Sequence, residues 1–118
     1  MLNPKQAQIC ISRADLIIKS CKSFKIGKTG QPLLSRFNAK YRREFEQIKQ
    51  LYSSKNEILI SELESTLNSH YFSHPQNGNY KEGSAGDMND YSPKYLLYIV
   101  FTPKRNLLER LIKTIRQD

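Results

Sequence analysis

A run of seven apolar or aromatic residues, 95–101 (YLLYIVF), constrains the fold of this chain more than any other segment. It favours extended backbone and has no charged side to turn toward water. A continuous apolar run of this length is typical of a strand covered on both faces, so we expect it at the centre of a sheet. It is far too short to cross a bilayer, and no membrane partner is expected.

Weaker strand patterns at residues 23–28 and 44–53 complete a predicted three-stranded sheet, either mixed or antiparallel. Helical patterns surround these strands, at residues 3–22, 32–41, 55–70 and 103–117. The predicted fold class is therefore α+β, a small three-stranded sheet flanked by about four helices. A chain of 118 residues is expected to form one domain. It would have an N-terminal helical extension (1–22), a long loop (72–94) and a C-terminal helix (103–117).

Two of the predicted helices have recognisable starts. Asn3 and Pro4 suit the N-cap and first turn of the N-terminal helix, although Ser12 with Asp15 could cap a second helix within it. Its buried side is predicted to carry Ile9, Leu16 and Ile17. The helix at 55–70 is predicted to start from a capping box of Ser54 and Glu57. Its buried stripe is Ile60, Leu63, Leu67 and Tyr71.

The net charge of +8 lies entirely in the first half of the chain. Residues 1–50 hold eleven Lys and Arg against three Asp and Glu, whereas residues 51–118 hold eight of each. Such a one-sided field favours a polyanionic partner, nucleic acid before a membrane surface; the alternative is an ordinary solvated surface. Cys10 and Cys21 are expected to be free, buried thiols, which indicates the reducing cytoplasm.

Two other motifs suggest a function, but neither has the spacing that the function requires. Gly27-Lys28-Thr29 suggests a phosphate-binding loop, but that loop needs a glycine five residues earlier, where Lys22 stands. His70 and His74 could bind zinc, but a single histidine pair without closely spaced cysteines favours solvated or capping histidines. Nucleotide hydrolysis and a zinc site are therefore not expected.

The order strand, Ile-Gly, arginine on the next helix, strand, and glutamate on the following helix resembles the GIY-YIG nuclease family. Lys25-Ile26-Gly27 stands at the second signature tripeptide, Arg36 follows Gly27 by nine residues, and Glu64 stands at the metal-binding glutamate of the family. On a helical wheel Glu64 lies about 60° from the centre of the apolar stripe, where a ligand is partly buried yet reachable. Further along, Asn77 or Asn79, with Gly83 and Gly86, is similar to the family's asparagine and glycine-rich tail.

Two features differ from the family pattern. No first signature strand precedes residue 24, and Lys25 replaces the tyrosine of the second tripeptide. Residues 95–101 could supply the missing strand from the C-terminal end, as in a circular permutation, and Tyr98 or Tyr95 would then replace the missing tyrosine.

The resemblance implies a metal-dependent endonuclease acting on nucleic acid, with DNA as the expected substrate. Glu64 would hold one Mg²⁺ (or Mn²⁺), Arg36 would clamp the phosphate, and Tyr98 would serve the nucleophile. The expected nucleic-acid contacts are Lys25, Lys28, Lys40, Arg42 and Arg43. One alternative is a non-catalytic module of the same fold that binds nucleic acid or protein. A structural protein that interacts through its long loop is a third possibility.

Overall fold

The structure, a computed structural model, describes residues 3–77 and 93–104. Its helices are α1 (Pro4–Ile18), α2 (Leu33–Arg36) and α3 (Glu57–His70), and α2 continues directly into a π-helical turn (Phe37–Tyr41). Its strands are β1 (Cys21–Thr29), β2 (Gln47–Ser54) and β3 (Tyr95–Pro103). The predicted α+β class with a three-stranded sheet is confirmed. None of the described helices is long and apolar enough to span a membrane.

Strand β3 lies between β1 and β2, and both neighbours pair with it in antiparallel register. All residues of β3 from Tyr95 to Phe101 are buried. This confirms the prediction that the apolar run forms the central strand. Successive side chains of β3 enter two separate apolar clusters, because neighbouring residues of a strand point to opposite faces of the sheet.

The larger cluster lies on the face covered by α1 and α3. From β3 it includes Leu97 and Ile99, and from β1 it includes Phe24 and Ile26. Helix α3 contributes the predicted stripe of Ile60, Leu63, Leu67 and Tyr71, all buried. This face forms the main hydrophobic core.

The smaller cluster lies on the opposite face, under the α2 segment and its π-turn. Its buried members are Tyr41, Phe45, Tyr98 and Val100. Partly buried Leu33, Phe37 and Ile48 pack around them. Two of the four buried residues carry hydroxyl groups, so this face contains a polar centre within an apolar surround.

The predicted buried side of α1 is wrong for two of its three residues. Ile9 and Leu16 are 43% and 64% exposed, whereas Ile17 is partly buried and packs against the core. The buried residues of α1 are Cys10, Ala14 and Ile18. The N-cap of Asn3 is confirmed, since its side chain accepts a hydrogen bond from the Lys5 amide. The helix continues unbroken to Ile18, so the second cap does not form.

Both predicted terminal boundaries change because β1 and β3 pair further than expected. The extension 1–22 was predicted to be helical throughout, but the register begins with Cys21 opposite Pro103, so Cys21 and Lys22 belong to a strand. Pro103 likewise ends β3 instead of opening the helix at 103–117. The Lys104 amide donates to the Ser20 carbonyl and closes this end of the sheet. Residues 105–117 of that predicted helix lie outside the described residues.

Helix α3 starts later than predicted. Its N-cap is Asn56, whose side chain accepts hydrogen bonds from the Ile58 and Leu59 amides, rather than Ser54. Ser54 instead accepts from the Asn56 amide and positions the cap. Of the predicted 72–94 loop, residues 78–92 lie outside the described part. Before them the chain turns and pairs Asn77 with Phe24 as an isolated parallel bridge.

Candidate active site

The centre of the site is Tyr98, a β3 residue that lies across Gly27 of β1. The two residues are directly opposite each other in the sheet register. A Cβ atom on Gly27 would lie 2.6 Å from Cζ of the Tyr98 ring, which is closer than any side chain can approach. The bare backbone of Gly27 therefore makes room for the aromatic ring, and Tyr98 is only 1% exposed.

Two side chains from the helical segment meet the Tyr98 hydroxyl. Nε of Arg36 donates to this oxygen at 3.4 Å, and the hydroxyls of Tyr41 and Tyr98 are 2.8 Å apart. Arg36 is the last residue of α2 and Tyr41 is the last residue of the π-turn. Between the described residues, the terminal guanidinium nitrogens of Arg36 make no hydrogen bond, so they remain available to an anion.

The π-turn explains why Arg36 and Tyr41 reach the same atom. Five residues separate them, which is about one turn of a π-helix but more than one turn of an α-helix. The Arg42 amide donates to the Phe37 carbonyl and closes this wider turn. An α-helical wheel would have paired Arg36 with Lys40 instead. π-Turns occur frequently at functional sites, which adds to the interest of this segment.

The protonation of the group follows from its burial. Burial, and then the hydrogen bond to Tyr98, raise the pKa of Tyr41 well above its ordinary value. Tyr41 therefore stays protonated at neutral pH. Burial alone would lower the pKa of Arg36, but the hydrogen bond to Tyr98 and the surrounding charges raise it overall. The site thus holds a permanent cation against two tyrosine hydroxyls.

Glu64 of α3 is buried, with 2% of its surface exposed. Its Oε1 lies 3.9 Å from Nζ of Lys28, which also donates a hydrogen bond of 3.1 Å to Oγ of Ser61. The helical wheel placed Glu64 at the border of the stripe, and the structure buries it there beside Leu63 and Leu67. The acidic group of the predicted site is thus held by a lysine of β1.

Consecutive residues of β1 join the two halves of the site. Gly27 lies against Tyr98, and Lys28 contacts Glu64. Arg36 and Glu64 are carried by helices on opposite faces of the sheet, yet they interact electrostatically, and Glu64 contributes to raising the pKa of Arg36 and of Tyr41. The predicted trio is therefore divided between the two faces of the sheet, because Arg36 and Tyr98 meet on one face and Glu64 lies on the other.

Four of the five predicted nucleic-acid contacts lie at or near the π-turn, and the fifth does not. Nζ of Lys25 and Nζ of Lys40 lie 5.9 and 5.5 Å from the centre of the Tyr41 ring, within cation–π range. Burial, followed by the positive charges of Arg36 and Lys25, lowers the pKa of Lys40. Arg42 and Arg43 are exposed just after the π-turn. Lys28, the fifth, faces Glu64 instead.

Other predicted polar residues have structural contacts. Nδ2 of Asn77 donates to the Tyr71 carbonyl at 2.9 Å, which fixes the end of α3. His74 packs edge-on against Phe24 and Tyr71, and His70 packs against Tyr71. Cys10 and Cys21 are free and buried, as predicted. Asn79, Gly83 and Gly86 lie outside the described residues.

A magnesium ion would find one carboxylate here. Within residues 3–77 and 93–104 no cluster of three or more His, Cys, Asp or Glu side chains is placed to hold a metal. Mg²⁺ commonly keeps several waters and takes only one or two carboxylates together with substrate phosphates. Glu64 would supply one such carboxylate, and an ion bound there would have to displace the ammonium of Lys28, which lies 3.9 Å from its Oε1.

Tyr41 is a residue of this site that the sequence did not identify. Its spacing of five residues from Arg36 is the one signal that could have identified it, and only if the π-turn had been expected.

Comparison of the chain with protein-family models, with curated proteins and with solved structures gave no match. The functional argument therefore depends on the geometry of the site.

Proposed function

We propose that this chain is a metal-dependent endonuclease of the GIY-YIG type that cleaves nucleic-acid phosphodiesters. The observation that carries the proposal is the hydrogen bond between Arg36 and the buried Tyr98, which lies opposite Gly27 of β1; the next residue of that strand, Lys28, pairs with Glu64 on the other face of the sheet. A fixed cation and a buried carboxylate are the two charges that phosphodiester cleavage with one metal ion needs. The central position of β3 beside β1 further supports a permuted order of the family strands.

Arg36 is the phosphate clamp in this proposal. Tyr98 holds Nε, so the two terminal nitrogens can donate to two oxygens of one phosphate. Because the guanidinium is held by a buried partner, it need not reorganise when negative charge develops on the phosphorus. Tyr98, which the resemblance assigned to the nucleophile, is too deeply buried for that role in this proposal, and its hydroxyl contacts that of Tyr41. Both tyrosines therefore act by positioning Arg36.

Glu64 is the residue that would hold Mg²⁺ or Mn²⁺. Such an ion, when bound, polarises the phosphate and stabilises the leaving oxygen. Lys28, which neutralises Glu64 in the protein alone, can then offer its ammonium to the phosphate. The basic first half of the chain favours a nucleic-acid substrate, for which the family resemblance implies DNA, and the two buried, free thiols favour the cytoplasm.

A plasmid-nicking assay with matched variants tests the proposal. Supercoiled plasmid is incubated with the protein in Mg²⁺ or in EDTA. Glu64→Gln should lower the nicking rate by on the order of 10²-fold or more, since it removes the ligand charge at constant size, while DNA binding persists. Glu62→Gln, two residues away on the same helix, is the control and should cut at the wild-type rate. A Glu64→Gln variant that cuts as fast as the control would refute the proposal.

A non-catalytic module that binds nucleic acid or protein is the second candidate function. The observation in its favour is Lys25, which replaces a tyrosine of the family pattern and lies over Tyr41 as a cation. Under this alternative Arg36→Ala weakens DNA binding, while no Mg²⁺-dependent nicking is seen with any variant. The two candidates therefore differ in the wild-type assay itself.

A further inference from the structure

The π-turn leads into a basic pocket that the clamp does not use. Its volume is about 340 Å³, and its lining residues are Asn38, Ala39, Lys40, Arg42 and Arg43. Three of these five side chains are cations and none is acidic. A concave surface with this composition suits a polyatomic anion rather than a monatomic one.

The local sequence explains the pocket. Tyr41 turns inward to the Tyr98 hydroxyl, so its neighbours Lys40 and Arg42 emerge on either side of a buried residue. The short side chains of Asn38 and Ala39 leave space beneath the long basic ones. The Arg42 backbone is fixed by the hydrogen bond that its amide donates to the Phe37 carbonyl, which leaves its side chain free to bind a ligand.

Lys40 connects this pocket to the clamp. It lines the pocket, and its Nζ lies 5.5 Å from the centre of the Tyr41 ring. The hydroxyl of that ring contacts Tyr98, which in turn holds Arg36. The positive charges of Arg36 and Lys25 act on Lys40 and lower its pKa, so an anion beside Lys40 would relieve repulsion within the group.

We propose that this pocket binds the phosphate that neighbours, along the same strand, the phosphate held by Arg36. The site then selects a strand with successive phosphates over a mononucleotide. This inference rests on the proposed function, and it names the substrate class of that site. Lys40 lies between the two phosphates, Arg42 and Arg43 bind the second one, and the reacting group stays at Arg36.

Binding measurements without metal test the subsite, because cleavage is then suppressed. We compare wild type, the double variant Arg42→Ala/Arg43→Ala, and the control Lys19→Ala/Lys22→Ala. All four replaced side chains are exposed, and both double variants lose two positive charges. The control lysines flank the start of β1, at the other end of the strand from Gly27. The probes are a short labelled DNA duplex, thymidine 3′,5′-bisphosphate and thymidine 5′-monophosphate.

The arginine variant should bind the duplex about tenfold more weakly than wild type, with a salt dependence whose slope falls by about 2. It should also lose the preference for the bisphosphate over the monophosphate, which the lysine control keeps. Equal behaviour of the two double variants would overturn the subsite while leaving the proposed function intact. A wild-type protein that binds no DNA would overturn both. Circular dichroism of both variants confirms that they are folded.

Discussion

Each face of the sheet buries two tyrosines, and Tyr71 on the larger core differs from Tyr41 on the smaller one in what its hydroxyl binds. Tyr71 ends α3 on the larger core, and its hydroxyl donates to Oδ1 of Asp15 at 2.6 Å and contacts the Ile11 carbonyl at 3.2 Å. Tyr41 lies on the smaller core, and its hydroxyl meets only Tyr98 among the described residues. Burial raises the pKa of both tyrosines above the ordinary value, so both stay protonated.

The different partners indicate that the two hydroxyls have different roles. Tyr71 joins α1 to α3, and its partners are a backbone carbonyl and a carboxylate of α1, so its hydrogen bonds stabilise the packing of helices. Tyr41 belongs to a chain of polar groups that ends on a cation, Arg36. Buried polar chains of this kind are costly unless satisfied, and they cluster where chemistry requires them. We therefore expect the loss of the Tyr71 hydroxyl to change stability, and the loss of the Tyr41 hydroxyl to change activity.

Leu97→Ala should have the largest effect on stability. Leu97 is fully buried in the larger core, and its loss leaves a cavity in the central strand. The free energy of unfolding should fall by about 2–5 kcal/mol, measured by urea denaturation. The control is Leu34→Ala, whose side chain is 68% exposed and should cost less than about 0.5 kcal/mol. Equal denaturation midpoints for the two variants would contradict the assignment of the main core to this face.

Tyr71→Phe should be next in size. It removes a hydrogen bond to the carboxylate of Asp15 and keeps the ring in the core. Bonds to charged groups contribute about 1.5–3 kcal/mol, so thermal and chemical denaturation should show a loss of that order. The nicking rate of the folded variant should equal that of wild type. A slower rate at a temperature well below the midpoint would mean that Tyr71 also serves the site.

The central strand was the part of the fold that sequence determined best. Its position followed from residues 95–101 alone, because an apolar run with no polar side leaves a strand nowhere else to lie. The stripe of α3 was equally readable, since its period of 3.6 is unbroken from Ile60 to Tyr71. Helix α1 was misjudged because its exposed side carries larger apolar residues, Ile9 and Leu16, than its buried side.

The candidate site was only partly predictable. Arg36, Glu64 and Tyr98 were chosen from the order of motifs, and the structure joins Arg36 to Tyr98 on one face of the sheet but places Glu64 beside Lys28 on the other. Their catalytic role stays a prediction. Tyr41 was not predicted because a π-turn of five residues is too short to produce a periodic pattern in the sequence. The pairing of Lys28 with Glu64 was not predicted either. It depends on how α3 packs against β1, and Ser61 of α3, which also bonds Lys28, is 33 residues away from it along the chain.

Gly27→Ala tests the close approach between β1 and Tyr98. A methyl group there would overlap the Tyr98 ring, which cannot move freely because it is buried and bonded to Arg36 and Tyr41. We expect a loss of about 1–3 kcal/mol in the free energy of unfolding, together with slower nicking as the ring is displaced from Arg36.

A double-variant cycle shows whether the Gly27 effect comes from this contact. In a Tyr98→Leu background the ring is gone, so adding Gly27→Ala should cost much less than it does in wild type. A coupling energy of at least about 0.5 kcal/mol is expected for residues in direct contact. Additive effects on the free energy of unfolding would mean that the alanine destabilises β1 through contacts other than the one with Tyr98.

Tyr41→Phe should have the smallest effect on stability and still slow the reaction, which makes it the sharpest comparison with Tyr71→Phe. The Tyr98 hydroxyl keeps Arg36 as a partner, so no buried group loses its last hydrogen bond. The expected cost is that of one neutral hydrogen bond, about 0.5–1.5 kcal/mol by urea denaturation. Without the second hydroxyl, Tyr98 and Arg36 are held less firmly, so kcat for nicking should fall while the affinity for DNA in EDTA stays unchanged. A variant with the kcat of wild type would reduce Tyr41 to a packing residue, and the two faces would then differ only in size.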